Sequence, residues 1–263
     1  MEESKKLDII KLSDRIYLFD EDHSATGYLV VGDDRAMMID TMTGEYDLKK
    51  YVSSITDKPV EVINTHFHMD HVGGNFYFDK AYIHPADLPY VEDFLAQPDV
   101  IEEIKRLNLT VPPFETVKEG DSFNLGGITL KIYDLPGHTP GGIVVLCPEE
   151  RVLFTGDGIN HHLWMQLDCC LSIKDSIPHL ERLLFLEKEA DFILHGHARG
   201  YDDISLLGSM LEGMKEIVAG KTENDLDYNW FGGVDRQHPF KVDETKQFDM
   251  KSSVIVYKTT NIA

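Results

Sequence analysis

Four times along this chain a stretch rich in β-forming residues runs into a short glycine-containing turn that carries histidine or aspartate. The turns fall at residues 66–74, 136–142, 156–158 and 195–200. A layered sheet suits this pattern, because strand tips far apart in sequence converge on one sheet edge. The stretches between the turns agree. Residues 16–19, 28–31 and 36–40 read as antiparallel strands, and a helix near residues 46–55 precedes a strand at 60–63. Residues 85–112 read as helical, with breaks expected at Pro89 and Pro98. A hairpin about Gly126-Gly127 leads to Pro136-Gly137-His138, and strands at 143–146 and 152–155 lead to Gly156-Asp157. A helix carrying Ile177, Leu180, Leu183 and Leu184 precedes a strand at 192–194 that ends on His195-Gly196-His197. A helix over 204–218, a loop over 221–240 and a strand at 253–257 complete the chain. With 263 residues and no repeat or linker, one α/β domain over 1–263 is the expected organisation.

The densest of the turns is His66-Phe67-His68-Met69-Asp70-His71. Histidines at i and i+2 of extended chain turn toward one side, and Asp70 and His71 follow where the backbone bends. Imidazole and carboxylate are the donors that zinc and other borderline first-row ions prefer. Burying four such groups unpaired in a core would be costly, so a metal site is the expectation.

This run resembles the HxHxDH signature of the metallo-β-lactamase superfamily. Leu135-Pro136-Gly137-His138-Thr139-Pro140-Gly141-Gly142, Phe154-Thr155-Gly156-Asp157 and Ile193-Leu194-His195-Gly196-His197 are similar to that family's later motifs, in order. Asp40 stands where the family often has a structural aspartate. The resemblance covers roughly residues 16–200 and implies a four-layer αβ/βα sandwich with the metal site at the edge of its two sheets. It also implies the ligands: His66, His68 and His138 for one metal, Asp70, His71 and His197 for the second, and Asp157 between them. His195 competes with His197, which is favoured because the family pattern places glycine directly before the ligand.

Two such metals, roughly 3.5–4 Å apart, acidify a shared water into a bridging hydroxide that attacks an electrophilic carbon. Asp70 is expected to orient that nucleophile as well as to bind metal. An aspartate at 157 turns the resemblance from dedicated β-lactamases toward glyoxalase II-like and lactonase-like hydrolysis of a small ester, thioester or lactone. The competing expectations are a mononuclear iron sulfur dioxygenase and a non-enzymatic metal-stabilised binding protein. Zinc is the expected ion, with iron or manganese as alternatives, since His/Asp sites accept all three. His161, His162, Trp164 and His195 are candidates for the substrate pocket. Tyr228, Trp230 and Phe231 are candidates for a lid or a subunit contact.

The formal charge of −21 disfavours nucleic acid and anionic membrane surfaces as partners, leaving a small molecule. No apolar run is long enough to span a bilayer and no signal-peptide core follows Met1, so a cytoplasmic setting is expected. Cys147, Cys169 and Cys170 read as packing residues rather than metal ligands, since they lack CxxC spacing. His23, near Asp20, reads as a loop residue bordering the pocket at most. His84, His179 and His238 read as surface or satisfied core.

Overall fold

The computed structural model describes residues 7–230, 233–242 and 253–263. Phe231 and Gly232 therefore lie outside the described residues. Seven strands form the first sheet in sequence order: β1 (Asp8–Lys11), β2 (Ile16–Asp20), β3 (Thr26–Val31), β4 (Ala36–Ile39), β5 (Val60–Ile63), β6 (Ala81–Ile83) and β7 (Phe114–Thr116). The first four pair antiparallel and the last three join in parallel. A second sheet runs β14 (Asp202–Asp203), β13 (Phe192–His195), β11 (Val152–Gly156), β10 (Ile143–Cys147), β9 (Thr129–Asp134), β8 (Ser122–Asn124).

Period-2 alternation assigns each strand's side chains to two faces. Leu18, Tyr28, Val30, Met37 and Ile39 turn inward and meet Ile132, Val145, Cys147, Phe154 and Leu194 of the second sheet. Phe19, Leu29 and Met38 turn outward and pack on Leu48 and Val52 of helix α1 (Leu48–Ser53). On the far side, Val144, Leu146, Leu153 and Ile193 are covered by α5 (Ile173–Glu181) and α6 (Leu206–Val218). The expected four layers are thus present. Each fully buried aliphatic side chain contributes about 1.5–3 kcal/mol, which makes the alternation decisive for sheet register.

Two expectations change. Pro89 does not break a helix; it lies in the first turn of α3 (Leu88–Leu95), where its missing N–H is no loss, whereas the break expected at Pro98 is present, with Pro98 opening α4 (Pro98–Arg106). Residues 221–240 are not a loop throughout. β15 (Leu226–Trp230) and β16 (Gly233–Pro239) join β17 (Val254–Tyr257) and β12 (His162–Met165) in a third sheet, ordered β12-β17-β16-β15. Its polar alternation, half exposed, hides the strand signal. No helix among the described residues is long and apolar enough to cross a membrane.

Candidate metal centre

His66 follows β5, His138 lies between β9 and β10, Asp157 follows β11 and His197 follows β13. All four come from strand ends or the loops beside them. His68 precedes the single turn of α2 (Met69–Val72), which carries Asp70 and His71. His66, His68 and His138 form one group able to hold an ion, and Asp70, His71, Asp157 and His197 form a second, with donor atoms within 4.8 Å in each. In the first group, His68 Nδ1 and His138 Nε2 are 2.9 Å apart, and the His66 ring lies 4.8 Å and 5.0 Å from the other two. Between the groups stands Asp157. Its Oδ2 lies 3.2 Å from His197 Nε2, 3.7 Å from His71 Nε2 and 3.8 Å from His138 Nε2. One oxygen therefore reaches both groups.

The donor set fits divalent metals on an observation independent of sequence motifs. His66 Nε2, His71 Nε2 and Asp157 Oδ1 are buried without a hydrogen-bond partner among the described residues. Orphaned buried polar atoms are costly, and a cation satisfies all three. Tautomers are arranged accordingly: His138 Nδ1–H donates to the Trp164 carbonyl at 2.6 Å, freeing the Nε2 lone pair. Burial and neighbouring imidazoles push His66 well below the usual imidazole range, and burial with His68 pushes His138 down to about 4. In the second group burial opposes charge and charge wins. Asp70, Asp157 and Asp40 hold His71 well above its ordinary value, while His71 and His197 hold Asp70 down at about 2.

A ring of partners orients these groups. Asp40 Oδ2 accepts from His71 Nδ1 at 2.9 Å and from Thr65 Oγ1 at 2.7 Å, and Thr65 Oγ1 lies 3.0 Å from His66 Nδ1. Nothing local in the sequence singled out Asp87, which is fully buried. Its carboxylate accepts from Phe67 N–H (3.1 Å), Thr139 Oγ1 (2.8 Å) and Gly141 N–H (2.6 Å), tying the loop of His66 and His68 to the loop of His138. Cys169 was also missed: its Sγ lies 3.7 Å from His68 Nε2, the nitrogen facing away from the cluster. It is a partner of that imidazole rather than a member of the donor set. Cys147 sits in the core between the sheets as expected.

Burial raises Asp87 to about 6, against its three donors. Between the ordinary value of 3.8 and about 6 the folded chain holds a proton that the unfolded chain releases. Stability therefore falls as pH rises across that window. Asp87→Asn is expected to flatten this slope in metal-free melting curves taken from pH 4 to 6. It is also expected to weaken first-group metal affinity roughly tenfold to hundredfold, because an amide N–H would face a donor. An unchanged slope together with unchanged affinity would refute the tie.

Next to the cluster lies a cavity of about 330 Å³, bordered by Asp157, Asn160, His162, Trp164, His197 and Arg199 among others. His23 and His195 also line it. His161 is turned the other way, into the interior, with Nε2 3.1 Å from Asp202 and Nδ1 2.8 Å from Ser253. His195 Nε2 likewise meets Asp202 at 3.1 Å, so it is not aimed at the metal groups. Trp164 packs on Trp230 at 4.5 Å and His162 on Tyr228 at 5.5 Å. These residues sit on β12 and β15, opposite edges of the third sheet, so that sheet must curl to bring them together. His238 is buried but only half satisfied: Nδ1 lies 2.6 Å from Asp225, while Nε2 has no hydrogen-bond partner among the described residues and lies 3.6 Å from Glu216.

Comparison with known proteins agrees with this geometry. Residues 21–197 match the description of the Metallo-beta-lactamase superfamily. The acyl-coenzyme A thioesterase MBLAC2 of Bos taurus and of Homo sapiens is 26% identical over 222 residues, 72% of this chain and 77% of the relative. A hydroxyacylglutathione hydrolase of Hyphomonas neptunium (strain ATCC 15444) is 34% identical over 139 residues, 51% of this chain and 47% of the relative. A metallo-beta-lactamase family protein of Thermus thermophilus superposes with a TM-score of 0.62 at 20% identity, over 82% of this chain and 85% of that one. A metallo-beta-lactamase of Pontibacter korlensis gives 0.57 at 21%, over 80% and 99%. At these identities the two structures speak to fold alone. The matched span runs through every candidate donor from His66 to His197, and the chain belongs to the metallo-beta-lactamase superfamily, a superfamily of metallo-hydrolases.

Proposed function

We propose that this chain holds two divalent metal ions and hydrolyses a small acyl ester-type substrate, a thioester first. The observation that carries the reading is the position of Asp157 Oδ2, within 3.2–3.8 Å of imidazole nitrogens from both donor groups. His66, His68 and His138 would hold one ion and Asp70, His71 and His197 the other, with Asp157 shared. When bound, such a pair acidifies water and polarises a carbonyl. Asp70 is ionised and partly exposed beside the site, where it would help hold the second ion and orient the attacking water. The cavity is of a size for a small molecule, and its aromatic wall of His162 and Trp164 shields the reacting carbonyl from bulk water. A thiol ionises near pH 8.5, so a thiolate departs with little help from an acid. The thioesterase name carried by the MBLAC2 relatives moves the thioester ahead of the lactone and the simple ester.

The test is elemental analysis of the native protein with a panel of acyl-coenzyme A and acyl-glutathione thioesters, lactones, phosphoesters and β-lactams. Two ions per chain and thioester hydrolysis that a chelator abolishes and zinc restores are expected. One ferrous ion per chain with oxygen consumption on glutathione persulfide would overturn the reading.

The two donor groups also predict an order of metal loss on acidification. His71 and His197 are raised by Asp70 and Asp157 against the effect of burial, so protons compete there at a higher pH than at an ordinary imidazole. His66 and His138 are lowered, and His138 stays deprotonated down to about pH 4. Equilibrium dialysis is therefore expected to show two ions at pH 8 and one at pH 5, the survivor being the first-group ion. Simultaneous loss of both would contradict the assignment.

A further inference from the structure

His197 is the most exposed imidazole of the second group, and its place depends on the turn from His195 to His197. That turn is gripped from several sides. The His195 carbonyl accepts from Tyr28 Oη at 2.5 Å and Thr26 Oγ1 at 3.1 Å. Gly196 N–H donates to the Gly156 carbonyl at 2.8 Å, and the Gly196 carbonyl accepts from Thr26 N–H at 2.8 Å. The last grip comes from a side chain: His197 N–H donates to His195 Nδ1 at 3.2 Å.

For Nδ1 to accept, His195 must carry its proton on Nε2. Asp202 Oδ2, 3.1 Å from that nitrogen, selects this tautomer. The other carboxylate oxygen accepts from His161 Nε2–H at 3.1 Å, and His161 Nδ1 then accepts from the Ser253 hydroxyl at 2.8 Å. His161, His195, Asp202 and Ser253 are all buried, at 2%, 2%, 2% and 4% exposure. His161, His195 and Asp202 are close enough to hold a cation themselves. Yet every ring nitrogen of the two histidines is already committed in one self-consistent chain of donors and acceptors. The cluster is therefore a hydrogen-bonded support and not a third metal site.

We propose that Asp202 is a positioning residue for the second metal ion: by fixing the tautomer of His195 it locks the backbone of His197 and so the direction of its Nε2. The inference rests on the two-ion reading above. Without the carboxylate, His195 is free to protonate Nδ1, which would place a donor against His197 N–H and release the turn. Asparagine at 202 behaves differently from alanine. Its amide oxygen still accepts from His195 Nε2–H, while its amide N–H₂ donates to His161 Nε2. His161 then reverses its tautomer and donates from Nδ1 to Ser253, whose hydroxyl accepts as readily as it donates.

Cobalt(II) titration of the metal-free protein, followed by the d–d absorption of each bound ion, separates the possibilities. Wild type is expected to take up two ions per chain. Asp202→Ala is expected to keep first-ion affinity and lose roughly tenfold to hundredfold in second-ion affinity, while Asp202→Asn stays close to wild type. His195→Phe, which keeps the ring and loses both bonds, repeats the selective loss if Asp202→Ala does not fold, as judged by circular dichroism. Unchanged second-ion affinity in folded Asp202→Ala or His195→Phe overturns the proposal. So does equal weakening of both ions, or equal damage from alanine and asparagine, since those mark general destabilisation. A single ion bound by wild type overturns the two-ion reading instead.

Discussion

Asp157→Asn is expected to abolish second-ion binding and lower kcat by at least about a thousandfold, with the fold intact. The magnitude follows from removing the charge at an atom that faces both donor groups, in a buried site where electrophilic stabilisation is worth about 10²–10³ per donor and more for an ion. Asparagine keeps the shape of the side chain but offers one accepting oxygen and no charge. With its nitrogen in the place of Oδ2, it would set N–H groups against His197, His71 and His138. At 5% exposure only water in the adjoining cavity can compensate. Metal analysis and steady-state kinetics measure the two effects together. Two tightly held ions with unchanged kcat would remove Asp157 from the centre of the mechanism.

A single methyl group should do comparable damage. A Cβ at Gly196 would press on Asp157 Oδ1 and His71 Cε1. Neither can retreat, because His71 is fully buried and held by Asp40, and Asp157 lies between the two donor groups. Overpacking of this kind costs about 1–3 kcal/mol, so Gly196→Ala is expected to weaken the second ion by about fivefold to more than a hundredfold. Gly137→Ala is the control from another ligand-bearing loop. Its Cβ would meet Ser176 Oγ at 3.4 Å and Ser176 Cβ at 3.6 Å, which is ordinary contact. Affinity of both ions for Gly137→Ala is expected to stay near wild type. Cobalt or zinc titration of the pair decides, and equal behaviour of the two variants would refute the steric account.

The candidate site was legible where chemistry is concentrated along the chain. His66, His68, Asp70 and His71 stand within six residues, and no core pattern accounts for them. His138, Asp157 and His197 were legible because each follows a β-rich stretch and sits beside glycine. The partners that hold these groups were not. Asp87 looks like any aspartate near a helix start, Asp202 like any surface acid before α6, and Cys169 lies 101 residues from the histidine it touches. Each acquires its role only through contacts across the sandwich. The hairpin of β15 and β16 escaped for a different reason: its half-exposed residues carry no clean apolar alternation.

Sequence alone determined which residues offer candidate metal donors and where strands must end, because donor type and apolar period are local properties of the chain. His195 against His197 was a choice that motif resemblance weighted and geometry sharpened. Both histidines flank the same glycine, yet Asp202 draws one into the interior while the other faces Asp157 at 3.2 Å. Only the tertiary structure decided that, and it alone brought Asp87, Asp202 and Cys169 to the centre. Hydrogen bonds and charge act over a few ångströms of space, whatever the distance along the chain.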